Sequence, residues 1–123
     1  MTQLSTEDAE RMLGAQPFSK LLGTRVIEFR AGFASLGLEV RDDLRQQFGY
    51  VHGGVISYLA DNALTFAGGS VLGSHVLIAG YSIDFLAPHA TDISSRRQSC
   101  STPVHGERAA ARRCTPSRGA TVS

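Results

Sequence analysis

The sequence has no tryptophan, and its three tyrosines and six phenylalanines all lie between Phe18 and Phe85. Whatever follows Phe85 has no aromatic ring to anchor a core. At 123 residues the chain is too short for a two-domain enzyme or for a dinucleotide-binding fold with a separate substrate domain. It also lacks a long apolar run: the best candidate, Val55 to Leu72, contains Asp61, Asn62 and Thr65, which argues against a membrane span. Met1 to Arg11 is polar and acidic with no apolar stretch, so no secretory signal is predicted and a cytoplasmic protein is expected. A net charge of +1 with 19% charged residues argues against a nucleic-acid binder and against global disorder. Only two cysteines occur, Cys100 and Cys114, at a spacing that matches no zinc site. They are either a disulfide or two bystanders, and the expectation is bystanders.

The small net charge conceals two compositions that meet near Ala90. From Ala90 onward there are six arginines and two acidic residues, whereas the first 89 residues carry six basic and nine acidic ones. Hydrophobic residues, 42% of the whole, are enough for one modest core.

Ser5 or Thr6 is placed to cap a short helix through Leu13, with Glu7 and Asp8 in its first turn and Gly14 at its end. Pro17-Phe18-Ser19 starts a second short turn towards Leu22. Thr24 to Arg30 and Phe33 to Val40 read as strands joined by a hairpin at Ala31-Gly32. Arg41 to Gly49 is a polar connection. Val55 to Leu72, opened by Gly53-Gly54, has helical character with nearly all faces apolar, which marks a buried helix frayed at Gly68, Gly69 and Gly73. Val76 to Leu86 follows as a long strand closed by Pro88. The plan is α+β, an antiparallel sheet wrapped around one central helix.

Such a sheet needs about two or three further strands. Between Thr91 and Ser123 the only large aliphatic residues are Ile93, Val104 and Val122, with no period of two. This segment is expected to be disordered or non-native rather than to close the sheet.

Helical spacing aligns Ser57, Asp61 and Thr65 as one polar stripe on the apolar helix. A carboxylate in that position is costly unless it is paired, faces solvent through a gap, or serves chemistry. Ahead of it stands Val51-His52-Gly53-Gly54. Two glycines at a helix start are either a simple turn or a close-approach site whose free N–H groups hold a carbonyl as it becomes tetrahedral. His52 alone reads as a hydrogen-bonded turn residue, and Gln46 alone carries no signal. Asp61 lies about 12 Å along the axis from Gly53, so one carbonyl cannot touch both in a single chain. If both act together, the carboxylate comes from a second chain and the site sits at a two-fold interface.

Gln46-Gln47-Phe48-Gly49-Tyr50-Val51-His52-Gly53-Gly54, then Leu59-Ala60-Asp61-Asn62-Ala63, then Tyr81-Ser82-Ile83-Asp84-Phe85-Leu86-Ala87-Pro88 resemble the hotdog-fold acyl-CoA thioesterases. The likeness is to the phenylacetic-acid-pathway (PaaI-like) branch and the related 4-hydroxybenzoyl-CoA enzymes, and it covers about residues 15 to 90. It implies a hotdog fold and hydrolysis of acyl-CoA or aryl-CoA thioesters to free acid and CoA. Gly53 would donate its N–H to the thioester carbonyl, and Gln46 would help hold that carbonyl or the loop. Asp61 of the partner chain would attack as nucleophile or activate water, with Thr65 orienting the water or the carboxylate. His52 and Gly54 would shape the substrate-binding turn. No metal and no cofactor beyond substrate CoA is implied, and the assembly would be a homodimer or a homotetramer.

The rival reading is an inactive hotdog domain that binds acyl-CoA or a protein partner. The arginine pairs Arg96-Arg97 and Arg112-Arg113 lack interleaved aromatics, which argues against nucleic acid. Residues 1–90 are thus assigned to the hotdog domain and 91–123 to an atypical tail. Beyond Ala90-Thr91-Asp92 the family pattern stops, and Arg, Ser, Ala, Pro and Cys enrichment suggests a frameshifted or otherwise altered terminus from about Ile93.

Overall fold

The computed structural model describes residues 4–72 in full and the backbone strands 83–85, 97–105, 108–109, 113–115 and 120–122. Helix α1 (Thr6–Gly14) begins at Ser5, whose hydroxyl accepts from the Asp8 N–H while the Asp8 carboxylate accepts from the Ser5 N–H. This reciprocal capping box satisfies two donors that a helix start otherwise leaves bare. Helix α2 (Pro17–Leu22) has proline at its first turn and ends at Gly23, whose φ of 71° suits glycine.

Strands β1 (Arg25–Arg30) and β2 (Phe33–Glu39) form the antiparallel hairpin expected from the sequence. The turn glycine, Gly32, has φ 75° and donates its N–H to Ser70 Oγ at 2.8 Å, tying the hairpin to the far end of the central helix. A bulge between Val26 and Glu28 breaks the alternation of β1. The extra residue leaves Ile27 exposed and turns Val26 and Phe29, three apart, onto the core. In β2 the residues Ala34 to Leu38 are buried without alternation, as in a strand covered on both faces.

Helix α3 (Gly53–Leu72) is the central element. Ile56, Leu59, Ala60, Ala63, Leu64, Phe66 and Ala67 are all buried, as its apolar faces require. Phe66 meets Phe29 edge-on at 6.3 Å between ring centroids. The expected fraying at Gly68 and Gly69 does not occur: the helix runs on to Leu72 and Gly68 is buried. Packing against the hairpin, including the Ser70 bond, offsets the weak helical preference of glycine. Gly73 and most of the expected strand Val76–Leu86 lie outside the described residues, of which only β3 (Ile83–Phe85) is described.

After residue 96 the backbone forms β4 (Arg97–His105), β5 (Arg108–Ala109), β6 (Arg113–Thr115) and β7 (Ala120–Val122). The sheet order is β1-β2-β4-β6-β7-β3, with β5 paired to β4, and every pairing is antiparallel. Sequence pattern had argued against strands here, and the backbone corrects that expectation. Ladder hydrogen bonds depend on no side chain, and β4 pairs with β2 over all seven residues from Phe33 to Glu39. Helix α3 lies against β2 and β4. Cys100 and Cys114 are Cα partners across β4 and β6. Directly opposed strand positions have Cα atoms about 4.5–5.5 Å apart, a span within disulfide reach, so that alternative has a geometry which the sequence spacing did not reveal. The domain boundary near residue 90 lies outside the described residues.

Candidate active site

The predicted residues fall on one loop and one helix. The loop begins after a short 3-10 turn at Asp42–Leu44 and folds back on itself by the Arg45–Val51 bridge. Gln46 closes it: its N–H donates to the Tyr50 carbonyl at 2.8 Å, its carbonyl accepts from Gly49 N–H at 3.0 Å, and its side-chain oxygen accepts from Phe48 N–H. Gly49, at φ 87°, supplies the left-handed turn. Arg45 clamps the loop through Asp42 and the Gly49 carbonyl. Held in this way, Phe48 at the tip is 74% exposed, an aromatic residue with little packing in its own chain. The Gln46 side-chain NH₂ has no partner among the described residues.

His52 N–H donates to the Leu44 carbonyl at 2.9 Å, anchoring the entry to α3. Its Nδ1 accepts from Gly54 N–H at 2.9 Å, so the imidazole is a helix cap with Nδ1 unprotonated. A Cβ on Gly54 would stand 2.9 Å from that nitrogen, which gives the second glycine a physical reason. The next N–H, of Val55, donates to the His52 carbonyl at 2.9 Å. That leaves Gly53, whose N–H has no partner among the described residues, at the positive end of a 20-residue helix. The loop geometry therefore singles out Gly53 rather than Gly54 as the free donor.

Asp61 is half-buried on α3, and withdrawal from water pushes its carboxyl above the usual carboxylate range. Its carboxylate has no hydrogen-bond or ion-pair partner among the described residues. Thr65 Oγ1 donates to the Asp61 carbonyl at 3.0 Å, one turn back along the helix. Gly53 and Asp61 are about 12 Å apart along the axis of one α3. The chain thus brings His52, Gly53 and Gly54 together at the start of α3, with Gln46 in the loop before them, and holds Asp61 with Thr65 as a separate group.

Sequence reasoning missed a second polar line, Tyr58 and Asn62, beside the Ser57–Asp61–Thr65 stripe. The Tyr58 hydroxyl lies 2.5 Å from Ser19 Oγ and 2.8 Å from Thr24 Oγ1. Asn62 Nδ2 donates to Gln16 Oε1 at 3.0 Å, and Ser19 Oγ donates to the same oxygen at 2.6 Å. This network fixes the rotation of α3 against α2, and so the direction in which Asp61 points. The i, i+4 spacing of Tyr58 and Asn62 on an apolar helix was the signal available.

Among the described residues no group of three metal-ligating side chains occurs, and no helix is long and apolar enough to cross a membrane. A hollow of about 660 Å³ between α2 and the strands, with Arg25, Glu39 and Arg41 on its wall, contains none of the predicted residues.

The family model for the thioesterase superfamily matches residues 48–92, from the tip of the loop through α3 and β3, and leaves Gln46 outside it. No curated protein sequence matches the chain. A thioesterase family protein from Silicibacter pomeroyi superposes with a TM-score of 0.78 at 23% identity, over 96% of this chain and 93% of that one. A variant of the phenylacetic acid degradation protein PaaI from Thermus thermophilus gives 0.72 at 25%, over 87% and 94%. The E. coli PaaI protein from the phenylacetic acid degradation operon gives 0.74 at 21%, over 94% and 86%. The chain has the hotdog fold, and its resemblance is to the PaaI-like thioesterases.

Proposed function

We propose that this chain hydrolyses acyl-CoA or aryl-CoA thioesters to the free acid and CoA, at equivalent sites, two per dimer, shared between protomers of a cytoplasmic homodimer or dimer of dimers. The observation that carries the reading is the pair of unspent groups on α3: the Gly53 N–H at its start and the Asp61 carboxylate two turns in. They are too far apart to meet on one carbonyl within a chain, and a two-fold axis brings each to the other's mate. The exposed Phe48 beside the helix start supports an interface or a substrate contact there.

Gly53 N–H and the helix dipole hold the thioester oxygen, more tightly as it becomes an oxyanion. Gln46 can add its free NH₂ to that grip, while His52 and Gly54 keep the turn in shape. Asp61 of the partner subunit either takes a proton from an attacking water or attacks the carbonyl carbon itself; Thr65 stands one turn on, and its hydroxyl must leave the Asp61 backbone carbonyl to orient the water or the carboxylate. The tetrahedral carbon then expels CoA thiolate, which recovers a proton. A raised carboxyl pKa strengthens Asp61 as a base near neutral pH. In the nucleophilic route the acyl group is left as a mixed anhydride with Asp61, and water then hydrolyses it to the free acid and the Asp61 carboxylate; label found in Asp61 after a single turnover in oxygen-18 water identifies that route.

The test is hydrolysis of a panel of acyl-CoA and aryl-CoA thioesters by purified protein and by Asp61→Asn. Loss of turnover in the variant supports the reading. Equal rates in both proteins would sink it, and no turnover in either would favour an inactive hotdog domain that binds acyl-CoA or a partner.

A further inference from the structure

A pocket of about 120 Å³, partly open to solvent, lies between α1, β1 and α3. Met12 and Leu4 line it from the α1 side, Phe29 from β1, and Phe66 and Gly69 from α3, so its surface is mainly hydrocarbon. Of the polar atoms on its wall, Gln16 Oε1 and Thr65 Oγ1 are already engaged, while the Gln16 NH₂ has no partner among the described residues. Gln16 Oε1 accepts from Ser19 and Asn62, and Thr65 Oγ1 donates to the Asp61 carbonyl. Such a space favours an apolar group over ordered water. Thr65 also ties the cavity to the chemistry. It is one helical turn from Asp61, with about 5–6 Å between Cβ atoms at that spacing.

We propose that this cavity holds the acyl chain of the thioester, and that the substrate class is a short, unbranched aliphatic acyl group of about five or six carbons. The inference rests on the thioester hydrolysis proposed above. Volume sets the length. An apolar cavity of about 150 Å³ holds the six carbons of benzene, so about 120 Å³ leaves room for about four or five carbons beyond the carbonyl carbon. A benzene ring is accommodated by an apolar cavity of about 150 Å³, which makes an aryl group a tight fit here. The protomer that supplies Asp61 thus also supplies the acyl cavity. The carbonyl grip comes from the partner's Gly53.

Chain-length profiles test this. The kcat/KM of purified protein is measured with acetyl-, butanoyl-, hexanoyl-, decanoyl- and phenylacetyl-CoA. The expected profile rises by up to about fourfold per methylene to hexanoyl and falls beyond it. Gly69→Leu places a side chain in the cavity and lowers the hexanoyl-to-acetyl ratio by about tenfold or more. Met12→Ala, at an exposed helix position, opens a wall and moves the optimum to longer chains. Binding is read separately by fluorine NMR, in which protein broadens the signal of ω-fluorohexanoate and Gly69→Leu abolishes the broadening. Where circular dichroism finds Gly69→Leu unfolded, Met12→Ala decides. Hydrolysis with a profile that neither variant changes overturns the cavity assignment and leaves the thioesterase reading standing. Broadening without hydrolysis supports the cavity as a short-chain acyl site and overturns the hydrolytic reading. Neither signal overturns both.

Discussion

Withdrawal from water makes Asp61 keep its proton to a higher pH in the folded chain than in the unfolded one. Folding is therefore penalised progressively as pH rises above the usual carboxylate value, and the penalty is complete once pH exceeds the raised one. Asp61→Asn removes it. The variant should melt no lower than wild type at neutral pH, and any advantage should vanish in acid below the usual carboxylate pKa of about 3.9. Activity should move the other way, with kcat falling by about 100-fold or more. In wild type the acid limb of kcat/KM should stand above the range of a free aspartate. Melting curves and pH–rate profiles on the two proteins check all three. His52 and Gly54 form the other residue-scale unit. Gly54→Ala sets a methyl 2.9 Å from Nδ1, so the imidazole must leave its cap. Loss of a cap costs about 1 kcal/mol, which calorimetry should register as a few degrees in Tm.

At the scale of elements, the two polar lines on α3 divide the work: Tyr58 and Asn62 hold the helix, while in the other line the Asp61 carboxylate has no partner among the described residues. Tyr58→Phe deletes the hydroxyl shared by buried Ser19 and half-buried Thr24; Ser19 keeps its bond to Gln16, and Thr24 loses its partner. The expected cost is about 1–3 kcal/mol, seen as a lower denaturant midpoint with an unchanged m-value. Much of this level was legible in the sequence. Ser5 with Asp8, Pro17, the hairpin glycine and the apolar run of α3 each announce their element through local chemistry. What stayed hidden depends on distant partners. No local pattern connects Tyr58 to Thr24, nor tells that Gly54 yields its N–H to His52 while Gly53 keeps its own free. The bulge at Ile27 was equally invisible, because period-two alternation is the only signal a strand offers.

For the whole molecule, the near-zero charge is a cancellation between an acidic portion and a basic tail. The tail was expected to contribute nothing, since it lacks aromatic and aliphatic residues. Its backbone nevertheless pairs along the whole of β2, whose buried residues would otherwise end at an open edge. Truncation after Asp92 should therefore abolish cooperative unfolding and leave a chain that aggregates on sizing. Composition still separates the tail. The coding DNA read in its other two frames tests the frameshift idea: a strand-like continuation in one supports it, and none counts against it.

The shared site is the central claim, and subunit mixing tests it most directly. Gly53→Pro removes the free N–H at a position where proline suits a helix start, and Asp61→Asn removes the carboxylate. Each variant alone should be nearly inactive. In a dimer of one with the other, one site regains both an intact Gly53 and an intact Asp61. Equal mixtures after unfolding and refolding should recover about a quarter of wild-type activity, because half of the dimers are mixed and each has one whole site. Mixed dimers that form, as verified by native mass spectrometry, and stay as inactive as their parents would contradict the account.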